Sequence, residues 1–360
     1  LVLVNNLTGK VIHFKGFYIS MSKPVTLQDI ADKLGISKVS VSKALRGHSD
    51  IGKSTTERVL TLAHELGYRP NLLAQKLTAK HTRTIGLVVP KIAHHFLTQA
   101  IDAIYLSANE HNYEIVMMVS EEDADLEARH IETLLSMRVD GLLVSVTEKT
   151  TETAIYERVR ASGTPLVFFD RVIENMGFTC ISSADEQGSF DLTQCAIDKG
   201  YRNFGHIGGY QSVSIGRRRY QGYLRALETN GLSIKEDHLI FGGFSRKDGY
   251  EGLQKMHQKG VLPEIIFTVT YPVALGVLKY AKENSIRIPD DLDLMSFGSS
   301  DYNTFITPAI TGIRQPAKEI GQLALEQVLL QIQDEKHEAT LNISIPVTIN
   351  QADTCISARA

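Results

Sequence analysis

Lys38, Val39, Ser42 and Lys43 fall within six residues, at a spacing that turns all four to the same side of a helix. Lysines donate to guanine acceptors or to phosphates, and a valine can meet a thymine methyl. That is the chemistry of reading a DNA major groove. No comparable set speaks for catalysis. The chain has no Gly-Lys-Ser/Thr phosphate loop and no strand-linked G-x-G-x-x-G. His94 and His95 are adjacent, so their side chains diverge, and no third metal ligand is near in sequence; a loop-surface pair is the better reading. Gly208-Gly209 reads as a tight strand-end turn. Arg217-Arg218-Arg219 opens a helix, and a solvated charged turn accounts for two of the three. Cys180, Cys195 and Cys355 are too far apart for a metal cluster or a disulfide framework, which suits a reducing cytoplasm.

The four side chains need a helix held against others. Thr26 precedes Leu27, Ile30, Ala31 and Leu34, one apolar helical face, with Asp29 in the reciprocal capping position. Gly35 can end that helix in the left-handed conformation, and Ser37 can cap the next. The second helix, about Lys38 to Leu45, turns Val41, Ala44 and Leu45 inward. Two such helices joined by a tight glycine turn make a helix-turn-helix. Ser54-Thr55-Thr56-Glu57 reads as a capping box for a third helix with the stripe Val59, Leu62, Ala63 and Leu66. The stretch from Tyr68 through Pro70 and Asn71 to Leu77 is too short to be a stable isolated helix. It is expected to order only on DNA or in a dimer.

Charge follows the same division. Residues 21–80 carry ten Lys and Arg against five Asp and Glu, while residues 81–360 carry 26 against 36. A small basic module ahead of a large acidic one suits a polyanion-binding head. Residues 1–20 lack the pattern of a signal peptide and are expected to be a non-native or disordered extension, with the functional chain starting near Met21. No apolar run approaches the ~20 residues of a membrane span.

From Thr84 onward, short apolar runs alternate with amphipathic helical stretches. Strands are expected at Ile85–Pro90, Ile115–Val119, Gly141–Val146, Leu166–Asp170, Phe204–Ile207, Ile265–Val269 and Leu294–Phe297. Such runs predict a parallel sheet covered on both faces, with a ligand beyond the carboxyl ends of the strands.

Thr26-Leu27-Gln28-Asp29-Ile30-Ala31, Gly35-Ile36-Ser37 through Leu45, and Gly67-Tyr68-Arg69-Pro70-Asn71 with Ala74 and Leu77 resemble the DNA-binding head of LacI/GalR family regulators. The resemblance implies base reading by Lys38, Val39 and Lys43, with Ser42 on the same outward face. It implies phosphate contacts by Thr26, Ser37 and Thr55, and a hinge segment in which Tyr68, Asn71, Ala74 and Leu77 meet DNA, Leu77 wedging into the minor groove. Two departures stand out. Lys43 replaces the usual arginine and cannot make its bidentate contact with guanine. Gly52 replaces the usual serine at the start of the third helix.

The likeness continues through Ile85–Pro90 with Phe96, Val139-Asp140-Gly141, Pro165 to Arg171, Arg219 to Tyr223, Ile288 to Asp291 and Thr307 to Thr311. It implies an all-α helix-turn-helix head plus hinge helix, followed by an α/β two-lobed periplasmic-binding-protein-like effector domain. The head would span 21–68, the hinge and linker 69–83 and the effector domain 84–360, with crossings near 183, 313 and 345. Phe96, Asp170 and Arg219 would line the cleft; a surface ion pair is the competing reading of Arg219. Where many relatives carry Asn-Asp, this chain has Thr270-Tyr271, and where many carry Asp-Asp it has Gly298-Ser299. Losing acceptors while keeping Arg219 favours an anionic ligand over a neutral sugar, with Asp301 a substitute acceptor.

The function expected is therefore a cytoplasmic repressor, not an enzyme and without a cofactor. It would be a homodimer or tetramer on a pseudo-palindromic double-stranded operator, controlled by a sugar or sugar derivative. A solute-binding receptor with a cryptic head and an enzyme on an α/β scaffold are the competing readings. Neither explains the head.

Overall fold

The computed structural model describes residues 25–68, 81–93, 95–333 and 340–357. The expected extension at 1–20, the hinge helix and its residues Asn71, Ala74 and Leu77 lie outside the described residues. The chain divides into two compact units, residues 1–80 and 81–360.

The first unit holds α1 (Leu27–Leu34), α2 (Lys38–Leu45) and α3 (Lys53–Glu65). Local chemistry sets most of their ends. The Thr26 hydroxyl accepts from the Asp29 amide, and the Asp29 carboxylate accepts from the Thr26 amide at 2.8 Å, a complete capping box. Gly35 stops α1 at φ +65°, a left-handed conformation that costs glycine little. The Ser37 side chain accepts from the Ser40 amide and starts α2. The expected box Ser54–Glu57 is not what starts α3. That helix begins at Lys53 on Gly52, with no side-chain cap bond, so Ser54 and Thr55 lie inside the first turn. Ile30, Ala31, Val41, Ala44, Val59 and Ala63 form a small buried core.

The second unit is built on two six-stranded sheets, one for each of the two lobes that the resemblance implies. The first has order β11 (Asn342–Ile345), β5 (Thr179–Ser183), β4 (Leu166–Phe169), β3 (Gly141–Val144), β1 (Thr84–Val89), β2 (Glu114–Val119), all parallel. The second has order β12 (Thr348–Asn350), β10 (Thr311–Arg314), β9 (Asp293–Ser296), β8 (Ile265–Thr268), β6 (Phe204–Gly208), β7 (Leu239–Phe241). It is parallel except at β12. The chain passes between the sheets after Ser183, after Arg314 and after Ile345.

Helices cover both faces of each sheet, so each lobe has two apolar layers. On the first sheet, α4 (His95–Glu110) and α11 (Ala317–Gln333) lie on one face, with α5 (Ala124–Ser136) and α6 (Ala154–Ser162) on the other. On the second, α7 (Asp185–Asp198) and α8 (Ser214–Thr229) share one face, α9 (Arg246–Gln258) and α10 (Tyr271–Glu283) the other. The α9–α10 pair packs backbone to backbone. A Cβ on Gly276 would sit 2.0 Å from the Arg246 carbonyl oxygen, so only glycine allows this approach. Among the described residues no helix is long and apolar enough to cross a membrane.

Candidate nucleic-acid interface and effector cavity

In the head, α2 turns Val41 and Ala44 into the core and leaves Lys38 and Val39 outside, Val39 at 63 % exposure. A large apolar side chain this exposed, beside a lysine, suits contact with a base methyl. Ser42 and Lys43 are half-buried on the same helix, and Lys43 contacts the Asp50 carboxylate. Thr26 and Ser37 serve as the caps of α1 and α2, and Thr55 is half-buried in the first turn of α3. Caps place hydroxyls and free amides at helix N-termini, where phosphates bind. Tyr68 packs against the head's core.

In the second unit a cavity of about 520 Å³ opens between the two sheets. It lies within the ~300–1,000 Å³ typical of small-molecule sites. Its walls come from strand ends and first helical turns, as expected for ligand sites of open α/β sheets. Phe96, Asp170, Arg219, Tyr271, Gly298 and Ser299, all expected from sequence, line it together.

Asp170 follows β4 at φ +59°, a left-handed conformation that Asp tolerates better than most residues. It is 7 % exposed, and its carboxylate has no hydrogen-bond partner among the described residues. Burial pushes its pKa from 3.8 to about 6, against the pull of Arg171 and Arg219. It places a carboxylate in the wall of the cavity. Gly298 sits at φ +100°, which disfavours any side chain. Burial raises the Tyr271 phenol to about 12, and its hydroxyl donates to Asn303 Oδ1 at 3.0 Å, which commits its proton.

Two expectations need correction. Arg219 is not an uncommitted cation. Its Nε donates to Asp185 Oδ1 at 2.8 Å and its Nη1 to the Val269 carbonyl at 2.9 Å, and the guanidinium lies 3.9 Å from the centre of the Phe297 ring. Both ionic partners are buried, at 2 % and 0 % side-chain exposure, so Asp185 neutralises Arg219. Nor does Asp301 supply the cavity with an acceptor. Its carboxylate is 73 % exposed and turns to His95 Nε2 at 3.5 Å and Gln99 Nε2 at 3.3 Å, in an adjoining smaller cavity. Of the Arg triplet, Arg217 and Arg218 both pair with Glu174, as a charged turn would.

Arg246 was missed. It is the first residue of α9, behind the Ser245–Asp248 capping box, and it lines the cavity mouth. Arg171, the other arginine near the cavity, is paired with Glu122 at 2.9 Å. Arg246 is therefore the lining arginine without an ion pair among the described residues. The S-x-x-D box was a readable signal for where α9 starts, not for its aim. No group of three potential metal ligands occurs among the described residues.

Residues 26–71 match the family described as bacterial regulatory proteins, lacI family. Residues 82–353 match the family described as periplasmic binding proteins and sugar binding domain of LacI family. The chain is 29 % identical to the catabolite control protein A of Priestia megaterium, over 84 % of this chain and 90 % of that protein. It is 28 % identical to the ribose operon repressor of Escherichia coli (strain K12), over 85 % and 93 %. The structure of a lac repressor dimer bound to operator and the anti-inducer ONPF superposes with a TM-score of 0.80, at 23 % identity, covering 93 % of this chain and 100 % of that one, which shows the fold. The chain belongs to the LacI family of bacterial regulatory proteins, DNA-binding transcription regulators with an effector domain of the sugar-binding type.

Proposed function

We propose that this protein is a homodimeric cytoplasmic repressor that binds a pseudo-palindromic operator through α2. A carbohydrate-type effector bearing a negative group, bound in the cavity between the lobes, would set its operator affinity. The observation that carries this reading is the pairing, in one chain, of an exposed Lys38–Val39 reading surface with a ligand-sized cavity. Asp170 supports the carbohydrate part, because a buried carboxylate lining the cavity, with no side-chain hydrogen bond among the described residues, fits a hydroxyl donor. Arg246 supports the negative group, where Arg219 no longer does. Tyr105 and Leu106 on α4 and Met117 on the edge strand β2 are all at least 40 % exposed and suit contact with a second copy. The effector would act by binding one lobe arrangement more tightly than another, and so shift the DNA-binding population. A twofold dimer then requires two related half-sites.

The test combines thermal shift with DNA retardation on neutral hexoses and pentoses, uronic acids and hexose phosphates. Compounds with a negative group should stabilise the protein and change its retardation of DNA, and Arg246→Ala should weaken their binding by about tenfold, the scale of one charge-assisted hydrogen bond. Stabilisation by neutral sugars alone would reject the negative group. Stabilisation by none of them would reject the carbohydrate reading.

A further inference from the structure

The head contains an ion pair that bears on how tightly it grips DNA. Lys43, near the end of α2, contacts the carboxylate of Asp50 in the turn that leads to α3. Among the described residues of the head, Lys33, Lys38, Arg46, Lys53 and Arg58 form no ion pair. Among the described residues of the head, the one cation held in an ion pair is thus a member of the proposed reading face. The two side chains are 38 % and 53 % exposed, and a pair this open adds little to folding. Its hydrogen bond to Lys43 holds the Asp50 carboxyl below its ordinary range, so Asp50 carries its charge at neutral pH. The exposed surface that would face a polyanion therefore has one cation already matched by an acid of the same chain.

We propose that Asp50 restrains Lys43 and so limits the head's affinity for DNA, above all for duplexes of unrelated sequence. The Lys43 ammonium has to leave Asp50 before it can neutralise a phosphate or meet a guanine acceptor. On a duplex that does not displace the carboxylate, Lys43 stays matched and one phosphate fewer is neutralised. Only a duplex with an acceptor in the right place offers a directional hydrogen bond in return. Asp50 is in this sense a specificity-determining residue that touches no base. The inference rests on α2 being the DNA-reading helix.

Full-length protein can be titrated by fluorescence anisotropy, over a salt series, against two labelled duplexes. One is the duplex most enriched by the wild-type protein from a random-sequence library, and the other is a scrambled version of it. Asp50→Asn, Asp50→Ser, Lys43→Ala and the Lys43→Ala/Asp50→Asn pair complete a double-mutant cycle. Asp50→Asn and Asp50→Ser should tighten binding to the scrambled duplex by roughly three- to fivefold and steepen the salt dependence by about 0.9 in log–log slope, one more phosphate neutralised. Binding to the enriched duplex should gain less. In the Lys43→Ala background Asp50→Asn should change nothing. An equal gain with and without Lys43 would mean simple repulsion between Asp50 and phosphate, and would overturn the proposal. So would weaker binding by Asp50→Asn, which would make Asp50 a positioning residue for Lys43, or no change in either duplex. If Lys43→Ala and Lys38→Glu both bind as wild type does, the failure belongs to α2 as the reading helix.

Discussion

Replacing Asp185 by alanine should destabilise the second unit severely while leaving the head folded. Asp185 is the first residue of α7, just after the chain leaves β5 for the second sheet. Its side chain is fully buried, as is that of its partner Arg219 on α8. Arginine stays protonated in proteins, so removing the carboxylate strands a cation with the Val269 carbonyl and the Phe297 ring as its remaining close partners. Breaking one side of a buried pair typically costs about 3–5 kcal/mol. In a unit this size, each kcal/mol moves the melting point by about 2–4 °C. A loss of about 6–20 °C follows, readable by calorimetry or circular dichroism. Asp185→Ala and Arg219→Met should also be non-additive. With Arg219→Met in place, Asp185→Ala should cost far less, because no uncompensated charge remains. A melting point within about 2 °C of wild type for Asp185→Ala, or a double variant as unstable as the sum of the singles, would refute the claim that Asp185 neutralises Arg219.

Three other outcomes follow from particular residues. Asp170 holds its proton more tightly folded than unfolded, so its contribution to stability declines as pH rises from about 4 to about 6. Asp170→Asn should gain on wild type by up to about 3 kcal/mol across that interval, measured by urea unfolding at pH 4 and 7.5; an equal difference at both pH values would contradict the raised pKa. Leu106→Glu should weaken self-association in sedimentation experiments by tenfold or more and lower operator affinity without changing effector binding; an unaltered association constant would remove α4 from the interface. Thr26→Ala should cost the head about 1 kcal/mol through loss of the α1 cap, seen as an earlier melt of the head alone.

The parts of this molecule that were legible in its sequence are those set by neighbours in the chain or by burial on two faces. Thr26 with Asp29, then Gly35 and Ser37, mark the ends of α1 and the start of α2 through local hydrogen bonds. The runs that became β1, β3, β4, β8 and β9 are buried throughout, so they read as continuous apolar segments. β5, β10 and β11 escaped because Thr-Cys-Ile-Ser-Ser, Thr-Gly-Ile-Arg and Asn-Ile-Ser-Ile have little apolar content, and backbone pairing across long sequence separations holds them in place. The start of α3 was misplaced because Gly52 offers no side-chain cap to read. In the cavity, strand-end logic found Asp170, Tyr271, Gly298 and Ser299. It could not find the partnership of Arg219 with Asp185, because the contact joins two helices packed side by side. Nor could it find Arg246, whose position depends on the close approach of α9 to α10 at Gly276.

The central claim is that α2 holds this protein on duplex DNA, and salt-dependent DNA retardation with wild type and Lys38→Glu tests it most directly. The enriched duplex should bind wild type with an affinity that falls linearly on a log–log plot against salt. Lys38→Glu should abolish that binding with its melting curve unchanged. Binding that ignores salt, or a Lys38→Glu protein that binds as tightly as wild type, would contradict the account.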